Sequence, residues 1–171
     1  MVTPLLTRGL LPTFMIIGIV AISKNYAIGK DGQLPWHYRA DLKFFKETTT
    51  GNAVVMGANT WRSIGKTLPN RLNILLTRSG KIDAPHDVMK LNSKEEVVDF
   101  AQYLNRDVFI IGGAKTYTEF ADVIEKWIVT EVPLIVTDAD TFMPTDFLAD
   151  FETGETRDLG DDLHVKILHR K

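Results

Sequence analysis

Cysteine is missing from the 171-residue sequence, and histidine occurs only four times. The lack of cysteine excludes disulfide bonds, thiolate metal sites and thiol nucleophiles. No histidine stands four residues from another, the spacing that places two metal ligands on one helix face. We therefore expect no metal site. The histidines are His37, His86, His164 and His169.

Excess charge and long hydrophobic runs are also absent. The formal net charge is -2, so no basic surface suggests nucleic acid or an anionic membrane as a partner. The apolar run from Phe14 to Ile22 is well short of the ~20 residues that a membrane helix needs. Its length also fits a secretory signal, but a basic start and a cleavage site are lacking, and its β-branched residues favour a buried strand. We expect a cytoplasmic protein in which residues 1–13 are a mobile leader.

The remaining composition is typical of one globular domain, with 44% hydrophobic and 25% charged residues. Strand patterns alternate with helical ones, which favours parallel crossovers in one sheet, while the helix-poor end favours antiparallel pairing. Residues 24–33 are rich in turn formers and predict a loop. A capping box at Ser93 predicts the start of a helix. The predicted strands are 14–22, 53–56, 72–76, 88–91, 107–111, 127–132 and 163–168, and the predicted helices are 37–49, a short one from 59–60, 93–104 and 115–121.

A single acid stands in a helical segment whose neighbours suit a core. Asp41 lies beside Leu42 and four residues before Phe45, close enough to share one helix face. An ionised carboxylate on such a face is costly unless it is paired. The alternative is a solvated aspartate in a first helical turn, which the helix dipole favours. This segment leaves the two interpretations equally open.

Two segments share the order strand, glycine, helix: one turns at Gly57 and the other at Gly112-Gly113. Glycine lets the backbone approach a ligand closely, and a helix N-terminus offers N–H groups to a phosphate. The second segment does not match G-x-G-x-x-G, so a Rossmann dinucleotide site is not indicated. Plain tight crossovers would need the same glycines. Arg71 and Arg78 flank the strand predicted at 72–76, although surface arginines are usually only solvated.

Taken together, these segments resemble the dihydrofolate reductase family across residues 14–171. The resemblance rests on the order and spacing of the motifs, each of which is weak alone. They are Ile28-Gly29, Leu34-Pro35-Trp36, Ala40-Asp41-Leu42 with Phe45, Val55-Met56-Gly57, Thr60-Trp61, Ser63-Ile64-Gly65, Leu68-Pro69 with Arg71-Leu72-Asn73, Ile111-Gly112-Gly113 with Tyr117, and Asp140-Thr141-Phe142.

The resemblance implies an α/β fold of three layers, in which helices flank a central mixed, mostly parallel eight-stranded sheet with an antiparallel C-terminal edge. Residues 14–171 would form one domain, with an adenosine-binding subdomain at about 52–105. The implied reaction is hydride transfer from NADPH to C6 of dihydrofolate with protonation at N5. We expect the loop 24–33 to act as a lid over this site.

Several substrate contacts are implied by the same resemblance. Asp41 corresponds to the acid whose oxygens accept hydrogen bonds from N3 and the 2-amino group of the pterin, and burial should raise its pKa. Thr130 corresponds to the threonine that hydrogen-bonds this acid, and Trp36 is assigned to catalysis with them. The other implied contacts are the backbone carbonyls of Ile19 and Ile111, the apolar side chains of Leu42, Phe45 and Ile64, and Arg71 for the α-carboxylate of the glutamate tail.

NADPH is the implied cofactor. The backbone near Ala21 and Ile28 would contact the nicotinamide carboxamide, the two glycine turns would hold the pyrophosphate, and Thr77 with Arg78 would hold the 2′-phosphate. In the family the Gly112–Gly113 peptide is cis. The full set of implied cofactor residues is Ala21, Ile28, Gly29, Gly57, Asn59, Thr60, Ser63, Thr77, Arg78, Gly112, Gly113, Ala114, Lys115, Thr116 and Tyr117.

One departure concerns the 2′-phosphate, because Ala58 stands where the family often has a basic residue. Arg78, together with Lys115, would then supply the positive charge. Two other functions remain as alternatives: a related reductase of riboflavin synthesis with the same fold, and a non-catalytic folate- or nucleotide-binding protein. No apolar surface stripe is evident in the sequence, and we expect a monomer.

Overall fold

The structure is a computed structural model that describes residues 14–171, so the mobile leader predicted for residues 1–13 lies outside the described residues. The elements in chain order are β1 (Ile16–Ile22), β2 (Ala27–Gly29), α1 (Arg39–Thr49), β3 (Ala53–Gly57), α2 (Ala58–Ile64), β4 (Leu72–Leu76), β5 (Met89–Leu91), α3 (Lys94–Ala101), β6 (Val108–Ile110), α4 (Ala114–Phe120), β7 (Lys126–Glu131), β8 (Thr141–Phe142), β9 (Phe151–Gly160) and β10 (Leu163–Arg170).

Eight of these strands form one sheet in the order β5-β4-β3-β6-β1-β7-β10-β9. The strands from β5 to β7 pair in parallel, with β1 between β6 and β7. β10 runs antiparallel to both β7 and β9. The predicted mixed, mostly parallel sheet with an antiparallel C-terminal edge is therefore confirmed.

Alternate residues of β1 enter different hydrophobic clusters on the two faces of the sheet. Ile16 and Val20 pack in one cluster, which also contains Phe120 of α4. Ile17 and Ile19 pack in the other, which also contains Trp61 of α2. Because both faces are covered, the central strands are apolar throughout rather than alternating, as parallel strands generally are. The result is the expected three layers.

The helices are short and mostly begin where the sequence predicts. Ser93 caps α3, since its hydroxyl accepts a 3.1 Å hydrogen bond from the backbone N–H of Glu96. The Glu96 carboxylate in turn accepts from the N–H of Asn92, one residue before the capping residue. Within residues 14–171, no helix combines the length and the apolar character that crossing a bilayer would require.

Three parts of the fold differ from the sequence-based prediction. The helix predicted at 37–49 begins at Arg39, because Tyr38 has an extended backbone with φ -123°. The strands β2 and β8 lie in segments that were predicted as loop or left unassigned, and they form a separate two-stranded sheet. β9 was not predicted. Most of its ten residues are exposed and several are charged, which suits an edge strand but hides the hydrophobic alternation on which prediction depends.

Candidate active site

The Asp41 carboxyl is buried in the first turn of α1, and the residue is only 9% exposed. Burial raises the pKa of Asp41 above its ordinary value, and the Thr130 hydroxyl, as a hydrogen-bond partner, partly opposes this. Thr130 lies on β7 opposite Ala21 of β1. Of the two interpretations left open by the sequence, the structure therefore supports the buried acid over the solvated one.

The apolar residues near Asp41 are only partly covered. Phe45 and Ile64, from the two helices on this side of the sheet, pack against the cluster that contains Ile19. Leu42 shares the start of α1 with Asp41 but is 44% exposed. The sequence placed Leu42 on a face suited to the core, whereas the structure leaves it at the surface beside the acid.

Tyr117 of α4 is hydrogen-bonded to the central strand β1. Its hydroxyl donates a 2.7 Å hydrogen bond to the carbonyl oxygen of Ile19. Burial raises the pKa of Tyr117 well above its ordinary value, and the negative charge of Asp41 adds to the effect. The phenol therefore stays protonated and acts as a permanent donor between β1 and α4.

Trp36 is buried with Ala27 and Val132 in a third cluster. Within residues 14–171, its indole Nε1 is the buried side-chain nitrogen that lacks a hydrogen-bond partner inside the protein. An unpartnered buried donor is costly unless a ligand or a water uses it. This side chain therefore has the capacity to bind a polar group.

The two glycine turns lie against each other at the carboxyl ends of β3 and β6. The N–H of Gly57 donates a 2.9 Å hydrogen bond to the carbonyl oxygen of Gly112. A Cβ added to Gly57 would lie 2.7 Å from Thr116 Oγ1, and one added to Gly112 would lie 3.1 Å from Thr60 Oγ1. Gly112 has φ +128°, and the peptide that joins it to Gly113 is cis. The starts of α2 and α4 are thus side by side. They lie at the carboxyl ends of the parallel strands, which is where α/β proteins commonly bind ligands.

The implied cofactor residues near the turns differ in exposure. Asn59 is exposed, and its Oδ1 accepts a 3.3 Å hydrogen bond from Arg62. Thr77 is buried, and its N–H donates to the carbonyl of Leu91. The half-buried residues of this set are Ser63, Ala114, Ala21 on β1, and Ile28 and Gly29 on β2.

Arg78 and Lys115 face one open groove of about 420 Å³, which Ala114, Thr118, Glu119, Phe142 and Pro144 also line. The structure thus brings together the two cations that the family resemblance assigned to the 2′-phosphate. It also places a carboxylate beside them, which the sequence did not predict.

Arg71 is held at the end of α1. Its Nη1 donates to Thr49 Oγ1 at 3.1 Å, its Nε donates to the Pro69 carbonyl at 3.0 Å, and its guanidinium lies 5.9 Å from the centre of the Phe45 ring. Partial burial lowers the pKa of Arg71 somewhat. Thr49 was missed in the sequence, where a threonine at a helix end has no distinguishing signal.

The predicted lid loop contains β2, which pairs with β8. The N–H of Asp31 donates to Asp140 Oδ2 at 2.8 Å, and the N–H of Asp140 donates to the Gly29 carbonyl at 3.1 Å. Lys30 forms an ion pair with Asp138. These contacts hold the loop predicted to be a lid against the segment before β8.

Comparisons with known proteins agree with this geometry. The family model described as dihydrofolate reductase matches residues 15–169. The dihydrofolate reductase of Haemophilus influenzae is 38% identical over 126 residues, which are 74% of this chain and 76% of that protein. The dihydrofolate reductase of Saccharomyces cerevisiae is 31% identical over 76% of this chain and 71% of its own length. A solved structure of dihydrofolate reductase from Enterococcus faecalis, complexed with NADP(H) and RAB-propyl, has a TM-score of 0.85 and 31% identity, covering 92% of this chain and 96% of that one.

Proposed function

The chain belongs to the dihydrofolate reductase family and is an NADPH-dependent reductase of dihydrofolate, and we propose that Asp41 is the residue around which its active site is built. The supporting observation is the position of Tyr117. Its hydroxyl bonds to Ile19, experiences the charge of Asp41, and lies 3.6 Å from where a Cβ on Gly112 would be. The acid, the central strand and the glycine turn therefore converge on one place.

Asp41 binds and orients the pterin in this proposal. Its two oxygens accept hydrogen bonds from N3 and the 2-amino group, and hydrogen bonds to charged groups contribute about 1.5–3 kcal/mol each. The carbonyls of Ile19 and Ile111 accept from the pterin edge, and the half-exposed Leu42 forms an apolar wall with Phe45. Arg71 pairs with the α-carboxylate of the glutamate tail.

The protein also controls the proton that reaches N5. Asp41 bonds to the opposite edge of the pterin, so a water whose acidity Asp41 influences delivers the proton. Thr130 favours the charged form of the acid, while burial favours the neutral form. The unpartnered Trp36 indole N–H is available to hold that water. Trp36 and Thr130 thereby assist catalysis through the acid.

The residues of the groove and the turns suit NADPH, which supplies the hydride when bound. Gly57 and Gly112 keep side chains out of a narrow space between the two helix starts, where Thr60, Thr116 and nearby N–H groups can meet a pyrophosphate. The remaining turn and lid residues complete the site by position: Ala21, Ile28, Gly29, Asn59, Ser63, Thr77, Gly113 and Ala114. Arg78 and Lys115 meet the 2′-phosphate.

We extend the proposal to domain organisation, location and assembly. Residues 14–171 form one domain whose part at about 52–105, with β3, α2, β4, β5 and α3, binds the adenosine half of the cofactor. The protein, whose chain has a mass of 19.3 kDa, acts as a cytoplasmic monomer, and its lack of cysteine suits a reducing compartment. Light scattering after size-exclusion chromatography tests the monomer, since a dimer would have twice this mass.

The experiment that tests the site follows NADPH oxidation by absorbance with dihydrofolate, for the wild type and Asp41→Asn. We expect a loss of about 10²- to 10⁴-fold in turnover at neutral pH, the range typical of a group that controls proton transfer. NADPH affinity, measured by quenching of tryptophan fluorescence, should stay within about twofold of the wild type, a change under half a kcal/mol.

The matched control is Asp99→Asn, which makes the same chemical change on the exposed side of α3. It should leave turnover unchanged. Equal loss of turnover and NADPH binding in Asp41→Asn would contradict the assigned role, and so would full activity. A wild-type chain that binds both ligands without oxidising NADPH would be the non-catalytic alternative.

A further inference from the structure

The groove beside α4 presents charges of both signs at the place assigned to the cofactor 2′ position. Arg78 follows β4, while Lys115 and Glu119 are one helical turn apart on α4. Ala58, at the start of α2, adds no charge there. The local balance between cation and anion is therefore set by few side chains.

Glu119 is paired with Arg78. The carboxylate Oε1 lies 3.8 Å from the Arg78 Nη2, which is beyond hydrogen-bonding distance, so the attraction is Coulombic. The Arg78 side chain is 86% exposed, whereas that of Glu119 is 30% exposed. The guanidinium can therefore turn toward a ligand, while the carboxylate stays on its helix.

These two groups have opposite preferences for the cofactor. A guanidinium suits a 2′-phosphate, whereas a carboxylate accepts a hydrogen bond from a ribose 2′-hydroxyl and repels a phosphate. Since Arg78 and Glu119 line one groove, a 2′-phosphate bound to Arg78 would lie near the Glu119 carboxylate and be repelled by its charge.

We propose that Glu119 is a specificity-determining residue, which competes with the 2′-phosphate for Arg78 and so narrows the preference for NADPH over NADH. This inference rests on the proposed placement of the 2′-phosphate at Arg78. Glu119 would then lower the affinity for NADPH without affecting the affinity for NADH through the same contact.

The test measures dissociation constants for NADPH and NADH by quenching of tryptophan fluorescence, for the wild type, Glu119→Gln, Arg78→Gln and the double variant. Removing the competing charge should tighten NADPH binding about twofold to fivefold, the range of exposed ion pairs, and leave NADH unchanged or weaker. The increase in NADPH affinity of Glu119→Gln over the wild type should become smaller as the salt concentration rises from about 0.01 to 0.5 M, because added ions screen exposed charges. In the double variant the gain should largely disappear.

Glu155→Gln is the matched control, since Glu155 pairs with Arg157 at 2.6 Å on β9, at the far edge of the sheet. It should leave both constants unchanged. If Arg78→Gln lowers the NADPH preference but Glu119→Gln does not raise it, the competition is refuted while the phosphate assignment stands. Weaker NADPH binding in Glu119→Gln would mean that the carboxylate positions Arg78 and would also overturn the inference. An unchanged preference in Arg78→Gln would instead refute the underlying assignment.

Discussion

The Tyr117 hydroxyl donates its hydrogen bond to the Ile19 carbonyl inside the protein, at 2.7 Å. The bond links α4, which follows the glycine turn, to the central strand of the sheet. The phenol has a strongly raised pKa because it is buried and lies near the negative charge of Asp41. It is therefore a donor to the Ile19 carbonyl over the whole accessible pH range.

Replacing Tyr117 with Phe should remove this donor and leave a buried carbonyl with one partner fewer. We expect a loss of about 1–3 kcal/mol in the free energy of unfolding, measured by urea denaturation. Tyr103→Phe is the control, since Tyr103 is 84% exposed and should lose almost nothing. Equal stability of the two variants would show that the Tyr117 hydrogen bond contributes no net stability.

The buried Asp41 carboxylate should lower the free energy of unfolding at neutral pH. Its pKa is raised in the folded protein above the ordinary value of 3.8, so the folded state holds its proton more tightly than the unfolded chain does. The contribution of Asp41 to the free energy of unfolding is therefore largest below pH 3.8. It decreases as the pH rises through the pKa of the folded state, and above that pKa it stays constant at its lowest value.

Asp41→Asn should consequently unfold at higher urea concentration than the wild type at pH 7, and the advantage should shrink as the pH falls through the folded pKa toward the ordinary one. Asp99→Asn, at an exposed position of α3, is the matched control for the chemical change itself. A variant at Asp41 that is less stable than the wild type at pH 7 would indicate that the charged form is stabilised rather than penalised by its surroundings.

Much of the sheet could be predicted from the sequence because its central strands are continuously apolar and end in turn residues. The run 14–22 and the strand 72–76 illustrate this, since both lie inside the sheet with neighbours on each side. β9 shows the opposite case. Its stability comes from backbone pairing with β10 rather than from its own side chains, and this pairing leaves no periodic signal in the segment 151–160.

The site divides in a similar way. The glycine turns and the acid were found because their residue types are unusual for their positions, although only the structure could decide that Asp41 is buried. Contacts between distant segments had no local signal. Thr49 contacts Arg71, which is 22 positions away in the sequence. Glu119 contacts Arg78, which is 41 positions away.

Thr49 should set the affinity for the glutamate tail. Its hydroxyl accepts from Arg71 and donates to the Phe45 carbonyl at 2.8 Å, and the residue is fully buried. Thr49→Val removes the hydrogen bond that fixes the position of the Arg71 guanidinium. We expect the KM for dihydrofolate to rise about threefold to tenfold, which corresponds to the free energy of one hydrogen bond, with kcat unchanged. Thr49→Ser, which keeps the hydroxyl, should stay near the wild type. An equal rise in the KM for NADPH would point to general disruption instead.

Asp140 should control how long the lid stays closed over the cofactor. Its carboxylate accepts from the Asp31 N–H and the Thr141 hydroxyl, which lower its pKa. Asp140→Ala removes these acceptors, and we expect NADPH to dissociate roughly threefold to tenfold faster in stopped-flow measurements. In the wild type, dissociation should accelerate only as the pH falls through the lowered pKa of Asp140.

The control for the lid is Asp138→Asn, which removes an exposed ion pair with Lys30 but keeps the Asp140 hydrogen bonds. Exposed ion pairs contribute little, so this variant should release NADPH at nearly the wild-type rate. Faster release from Asp138→Asn than from Asp140→Ala would assign the closing contact to the ion pair.

Gly57 should be intolerant of a side chain for steric rather than conformational reasons. Its φ of -80° is open to any residue, but an added Cβ would lie 2.7 Å from Thr116 Oγ1 on α4. Gly57→Ala should therefore push the two turns apart and cost about 1–3 kcal/mol in unfolding free energy, as overpacking does, with weaker NADPH binding. Thr116→Ala removes the atom that the new Cβ would meet. Gly57→Ala should therefore cost much less unfolding free energy in the Thr116→Ala background than in the wild type. Strict additivity of the two single changes would show that the glycine is needed for something other than this contact.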